Sequence, residues 1–142
     1  MKRMMLVGET GAGKTTLLQY LKEEELRYHK TQQVYFDKAA IDTPGEFAEN
    51  RFYHNALVSA SVEADVIALV QSVTRKNNYF PPLFSSRFTK TVIGIVAKSD
   101  LAESQEQIEK VTKQLKLAGA KQIFIISTLE NQGLVELKDF LS

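Results

Sequence analysis

The strongest chemical signal in this sequence is a run of glycine, lysine and hydroxyl residues near its start. Gly8-Glu9-Thr10-Gly11-Ala12-Gly13-Lys14-Thr15-Thr16 contains the pattern G-x-x-x-x-G-K-[ST]. Glycines at this spacing let the backbone curl so that successive N–H groups point at phosphate oxygens, and larger side chains would block the approach. A helix opening at Lys14 turns the positive end of its dipole toward the same anion. Lys14 is then placed to reach the β- and γ-phosphates of a nucleoside triphosphate, and the Thr15 hydroxyl to coordinate Mg2+. Thr10 adjoins the expected γ-phosphate position, either as a further hydroxyl contact or as a simple turn residue.

A second group follows at Asp42-Thr43-Pro44-Gly45. Taken alone it is an ordinary turn, since Asp, Pro and Gly are the usual turn residues. After a phosphate loop it becomes a switch element. Asp42, at the carboxyl end of an apolar strand, can hold Mg2+ through a water, and Gly45 offers an unhindered N–H to a γ-phosphate. Loss of that phosphate would free the segment that follows.

These residues need a scaffold that brings strand ends together. Short apolar runs alternate with segments of helical period, the pattern of a mostly parallel sheet covered by helices on both faces. Met4 to Val7 predicts a buried strand and Lys14 to Glu24 a helix with Leu17, Leu18 and Leu21 on one face. Val34-Tyr35-Phe36 and Ala39-Ala40-Ile41 predict two short strands, the first at an edge, after a polar, aperiodic stretch from Leu26 to Gln33. Ala64 to Val73, Thr91 to Ala97 and Gln122 to Ser127 predict three more, for about six in all. Ala102 to Ala118 predicts a helix closed by Gly119, and Leu134, Leu137 and Leu141 form the stripe of a last one. The fold class expected is the α/β three-layer sandwich of P-loop nucleotide-binding proteins. Its least regular part is Arg75 to Lys90.

At 142 residues the chain fits one domain, 1–142, with no repeat or linker. The net charge of +1 leaves no overall field to favour nucleic acid or a membrane surface, so any electropositive site must be local. No run of apolar residues is long enough for a signal core or a bilayer span, and the absence of cysteine agrees with a reducing compartment. A cytoplasmic location is expected. His29 and His54 are isolated, which argues against a protein-held transition metal, and no nucleophile elbow suggests a serine hydrolase.

With these motifs placed, the chain resembles the translation-factor-like class of small GTPases, and more narrowly the EutP/PduV family of ethanolamine- and propanediol-utilisation proteins. The likeness is carried by Met4-Met5-Leu6-Val7-Gly8, Gly11-Ala12-Gly13-Lys14-Thr15-Thr16, Lys30-Thr31-Gln32, Ile41-Asp42-Thr43-Pro44-Gly45-Glu46 and Ala64-Asp65-Val66-Ile67-Ala68-Leu69-Val70-Gln71. It implies that Thr31, in a first switch segment, binds Mg2+ and the γ-phosphate. Ala97-Lys98-Ser99-Asp100 resembles the guanine-reading N-K-x-D motif with Ala in place of Asn. Asp100 can accept two N–H bonds that guanine offers and adenine does not, and the Lys98 stem can cover the base. Alternatively Ser99-Asp100 only caps the helix expected near Ala102. Ser127-Thr128-Leu129 resembles the loop whose backbone N–H supports the base. Glu46 stands where signalling GTPases carry a water-orienting glutamine, and its charge implies slow turnover unless a cation such as Arg51 lies near; otherwise it is a solvated glutamate at a helix start.

The function expected from these residues is a Mg2+-dependent GTP/GDP switch with weak intrinsic hydrolysis. The resemblance also brings an ATP-dependent acetate kinase alternative, in which Arg27, Lys30 or Arg51 would hold the substrate carboxylate. A third alternative is an adaptor at a bacterial microcompartment, with the shell or metabolic enzymes as partners. Its candidate surface is Tyr79, Phe80, Phe84 and Phe88, which read equally as a short core-packing helix. The oligomeric state stays open.

Overall fold

The computed structural model describes residues 2–29 and 40–142, with side chains for all of these except 23–29 and 49. Five parallel strands form one sheet in the order β2-β1-β3-β4-β5. They are β1 (Met4–Gly8), β2 (Ala40–Asp42), β3 (Val66–Ser72), β4 (Thr91–Ala97) and β5 (Ile123–Ile125). Among the described residues five α-helices accompany them: α1 (Lys14–His29), α2 (Glu46–Glu49), α3 (His54–Ser61), α4 (Gln105–Leu117) and α5 (Leu134–Leu141).

The central strands are apolar except at Gln71 and Ser72, which end β3, and Thr91, which begins β4, because both of their faces are covered. Alternate residues therefore go to different cores. Met4, Leu6, Val66, Ala68, Ile93 and Ile95 face Leu17 and Leu21 of α1 and Leu134, Leu137 and Leu141 of α5. Met5, Val7, Ile67, Leu69, Val92 and Val96 face Leu57 of α3, Val111 and Leu115 of α4, and Phe80, Phe84 and Phe88. The helical stripes expected from spacing are thus the buried ones.

Three expectations change. The described residues hold five strands rather than about six, Val34-Tyr35-Phe36 lies outside them, and β2 is the outermost described strand on that side. Helix α1 runs on past Glu24 to His29, through Glu and Leu residues that favour helix and with no glycine or proline to stop it. Helix α4 starts at Gln105 rather than near Ala102, because the Ser104 side chain, in extended backbone, accepts the Gln107 N–H and fixes the first turn there. The left-handed Gly119 beyond its end, at φ 107°, is as expected.

Strand order places the site. The chain leaves β1 for β2 on one side and then crosses to β3 on the other, and ligands of open α/β sheets bind at the carboxyl ends of strands where the order reverses in this way. The loop after β1 is the glycine-rich loop.

Candidate functional site

Between Gly8 and Lys14 the loop turns through Gly11 at φ 86° and Gly13 at φ 113°, left-handed values that a side chain would strain. A Cβ on Gly13 would also come within 3.3 Å of the Ala97 Cβ, so glycine lets the loop approach the end of β4. The loop closes on itself through the Ala12 N–H to the Glu9 carbonyl at 3.0 Å. Inside it the Lys14 ammonium donates to the carbonyls of Gly8 (2.7 Å) and Glu9 (2.9 Å). Lys14 is buried, and the loss of water pushes its pKa below the usual 10.5, with Asp42 and Glu9 opposing part of that shift. The result is a poorly hydrated cation in a loop of backbone amides, a cradle suited to a phosphate chain.

Thr15, in the first turn of α1, donates its hydroxyl to the Asp42 carboxylate at 3.4 Å. Two of the three residues expected to hold Mg2+ thus meet, although 27 positions separate them. Hard hydroxyl and carboxylate oxygens are the donors that would hold such an ion. Thr43 is tied down by its hydroxyl to the Leu6 carbonyl at 2.8 Å, which docks the Asp42 turn on β1. Gly45 packs directly on the phosphate loop: a Cβ there would overlap the backbone nitrogen and hydroxyl of Thr10 and come within 3.0 Å of its Cα. Gly45→Ala should therefore lower stability by about 1–3 kcal/mol, as overpacking does. Urea denaturation would show a lower midpoint at unchanged slope, and a wild-type midpoint would mean that the turn is not docked.

Of the residues singled out by sequence, Thr10, Gly11, Gly13, Lys14, Thr15, Thr16, Asp42, Gly45 and Lys98 line one open cleft of about 340 Å3, together with Thr43 and Pro44. Gly8 and Glu9 contribute their carbonyls to Lys14, and Ala12 is buried against the core on the α1 side. A larger groove of about 520 Å3, bounded by Lys2, Asp65, Val66 and Thr91, lies at the opposite, amino-terminal ends of β3 and β4, beyond reach of these loops. Thr31 and Lys30 lie outside the described residues, as does the Arg27 side chain. Glu46 opens α2 exposed to solvent and outside the cleft lining. Arg51 lies close enough to Arg87 to help lower the Arg87 pKa, behind the larger effect of burial.

The residues expected to face a base form a second group at the ends of β4 and β5. Lys98 adopts φ 59°, left-handed backbone that costs a non-glycine residue about 1–2 kcal/mol. From there its ammonium donates to the Gly11 carbonyl at 2.6 Å, so the side chain straps the phosphate loop. Asp100 sits in a 3-10 turn, Ser99–Leu101, and does not cap α4. Its carboxylate accepts the hydroxyl of the fully buried Ser127 at 2.7 Å. That hydroxyl in turn accepts the Glu130 N–H at 3.0 Å. The Ser127 backbone N–H is engaged by the Gln132 carbonyl at 3.0 Å, which leaves the amides of Thr128 and Leu129 for any support of a base.

Two residues were not expected at this site: Arg75, and Tyr79, which the sequence assigned to a docking surface or a core-packing helix. Arg75 pairs with the Glu9 carboxylate and lies over the Tyr79 ring, 4.8 Å from its centroid. The Tyr79 hydroxyl donates to the Gly45 carbonyl at 2.9 Å. No local pattern announces contacts across 66 and 34 positions. The neighbouring aromatics take the other of their two expected places. Phe80, Phe84 and Phe88 are buried, with ring centroids 5.1 and 6.1 Å apart in succession, and so offer no docking surface.

An all-parallel sheet that delivers a glycine-rich loop, a buried lysine and a helix start to its switch point defines a P-loop nucleotide-binding protein. The family model described as "Ethanolamine utilisation - propanediol utilisation" matches residues 1–142, and the chain belongs to that family, PduV-EutP. It is 44% identical to the propanediol utilization protein PduV of Citrobacter freundii over 142 residues, covering 100% of this chain and 94% of that one. It is 30% identical over 145 residues to the protein of Escherichia coli K12 named "Probable acetate kinase EutP", covering 100% of this chain and 90% of that one. A more distant likeness, 25% over 162 residues, joins it to the GTPase Era of Erythrobacter litoralis, covering 96% of this chain and 53% of that protein.

Proposed function

We propose that this chain is a single-domain, Mg2+-dependent guanine-nucleotide switch of propanediol or ethanolamine utilisation, with slow intrinsic hydrolysis. The observation that carries the choice of base is Asp100, whose carboxylate is held by the buried Ser127 next to the lysine that straps the phosphate loop. A carboxylate fixed there accepts from the N1–H and N2–H groups of guanine, whereas adenine leaves its base-facing acceptor positions unmet, a penalty of about 1–3 kcal/mol. The backbone amides of the loop and Lys14 bind the phosphate chain, and Thr15 and Asp42 hold the metal. Mg2+, when bound, neutralises charge between the β- and γ-phosphates. Gly45 and the residues after it give the bound state its outward form, and the partner, a microcompartment shell or metabolic enzyme, reads that form in the cytoplasm. The likeness to Era supports hydrolysis as the reaction class.

Competition binding tests this directly. GTP should compete at least about tenfold more strongly than ATP at equal Mg2+, the effect of one unpaired polar group, and chelation of the metal should weaken both. The name of the 30% identical relative points to the rival, phosphoryl transfer between ATP and acetate. Tighter ATP binding together with Lys14-dependent formation of acetyl phosphate would establish that rival instead.

Glu46 carries a separate prediction. Its carboxylate repels the charge that develops on a γ-phosphate, so Glu46→Gln should speed hydrolysis about tenfold and change GTP affinity less than twofold. Single-turnover hydrolysis and equilibrium titration separate the two quantities. Equal changes in both, or none, would leave Glu46 as the exposed start of α2 and nothing more.

A further inference from the structure

The contacts of Arg75 and Tyr79 form a chain from one nucleotide loop to the other through a segment that belongs to neither. Arg75 leaves β3 by a turn, its N–H bonded to the Ser72 carbonyl at 3.2 Å, and its guanidinium pairs with Glu9 inside the phosphate loop. The same group covers the Tyr79 ring. Tyr79 is itself anchored, edge to face at 5.0 Å, on the buried Phe80. Its hydroxyl then reaches the Gly45 carbonyl, which also accepts the Ala48 N–H at 3.3 Å in the first turn of α2.

We propose that Arg75 and Tyr79 are positioning residues that hold the Gly45 turn docked on the phosphate loop, so that the β3–β4 connection favours a triphosphate over a diphosphate. This rests on the nucleotide reading above. Gly45 lies against Thr10, and its carbonyl accepts the Tyr79 hydroxyl. A turn already in place need not be ordered when a terminal phosphate arrives, and a diphosphate makes no use of it. Guanidinium stacking on a phenol ring also restricts both side chains, which sharpens the aim of the hydroxyl.

Tyr79→Phe removes the hydroxyl and keeps the ring, so the core contact with Phe80 survives. In this variant the affinity for a non-hydrolysable GTP analogue with Mg2+ should fall by about three- to tenfold, the worth of one hydrogen bond, while GDP affinity changes less than twofold. Amide exchange at Phe47 and Ala48 in nucleotide-free protein should rise by a similar factor. Arg75→Gln should act in the same direction, and the double variant should be no worse than the larger single effect, because the two groups act in series. Equal losses for GDP and the analogue, or unchanged exchange at Phe47 and Ala48, would overturn the clamp. Failure of the wild type to bind either nucleotide would overturn the function on which it rests, and is distinguished by occurring without any substitution.

Discussion

Lys14→Met should lower the affinity for a magnesium nucleoside triphosphate by about 100-fold or more, while the nucleotide-free protein keeps its stability to within about 1 kcal/mol. The two halves have one cause. In the free protein the ammonium has lost part of its water, and the carbonyls of Gly8 and Glu9 and the charges of Asp42 and Glu9 offset that loss only in part, which is why its pKa lies below 10.5. The penalty is present while the group is charged in both states, and it is relieved as pH rises through the lowered pKa toward 10.5. Wild type should therefore gain stability relative to Lys14→Met across that alkaline range. A phosphate chain supplies the missing counter-charge, and two charge-assisted hydrogen bonds of about 1.5–3 kcal/mol each account for the lost affinity. Calorimetric titration beside thermal denaturation at neutral and alkaline pH checks both. Binding within threefold of wild type would remove the lysine, and with it the phosphate cradle, from the function.

Asp100→Asn should exchange the preferred base from guanine to xanthine, with GTP affinity falling by about 100-fold and xanthosine triphosphate becoming the tighter ligand. The direction follows from Ser127. Its hydroxyl donates to one carboxylate oxygen, and an amide placed here keeps that bond through its own oxygen. The amide nitrogen is then turned toward the base, where it meets the N1–H and N2–H donors of guanine with a donor of its own. Xanthine offers a carbonyl in place of the 2-amino group and restores the pairing. Competition among GTP, xanthosine triphosphate and ATP on the two proteins measures the exchange. An unaltered order of affinity would place Asp100 outside the base pocket and leave it as a residue that links the β4 and β5 loops.

How far each feature was legible follows from the range of the interactions behind it. The phosphate loop is local: a strand, glycines at fixed spacing and a lysine at a helix start determine its shape within nine residues, and Gly11 and Gly13 adopt the backbone that the pattern requires. The stripes of α1 and α5 that pack on the core were legible for the same reason, since one helix face recurs every three to four residues. Boundaries were less so. Ser104 displaced the start of α4 by three residues through a single side-chain bond. Ser99-Asp100 admitted two readings, cap or base reader; the cap reading falls because Ser104 takes that place, and Ser127, 27 positions on, holds the Asp100 carboxylate.

The residue types from Gly8 to Thr16, and the apolar strands on either side of the sheet, determined without any structure that this chain builds a parallel sheet with a phosphate cradle at its first strand. Tertiary structure alone decided that Thr15 meets Asp42, that Gly45 rests on Thr10, and that Arg75 and Tyr79 bind the two loops together. Backbone conformation and side-chain periodicity are properties of neighbours along the chain. Contacts between loops depend on which strands lie side by side, and the order β2-β1-β3-β4-β5 is decided by the packing of both faces at once.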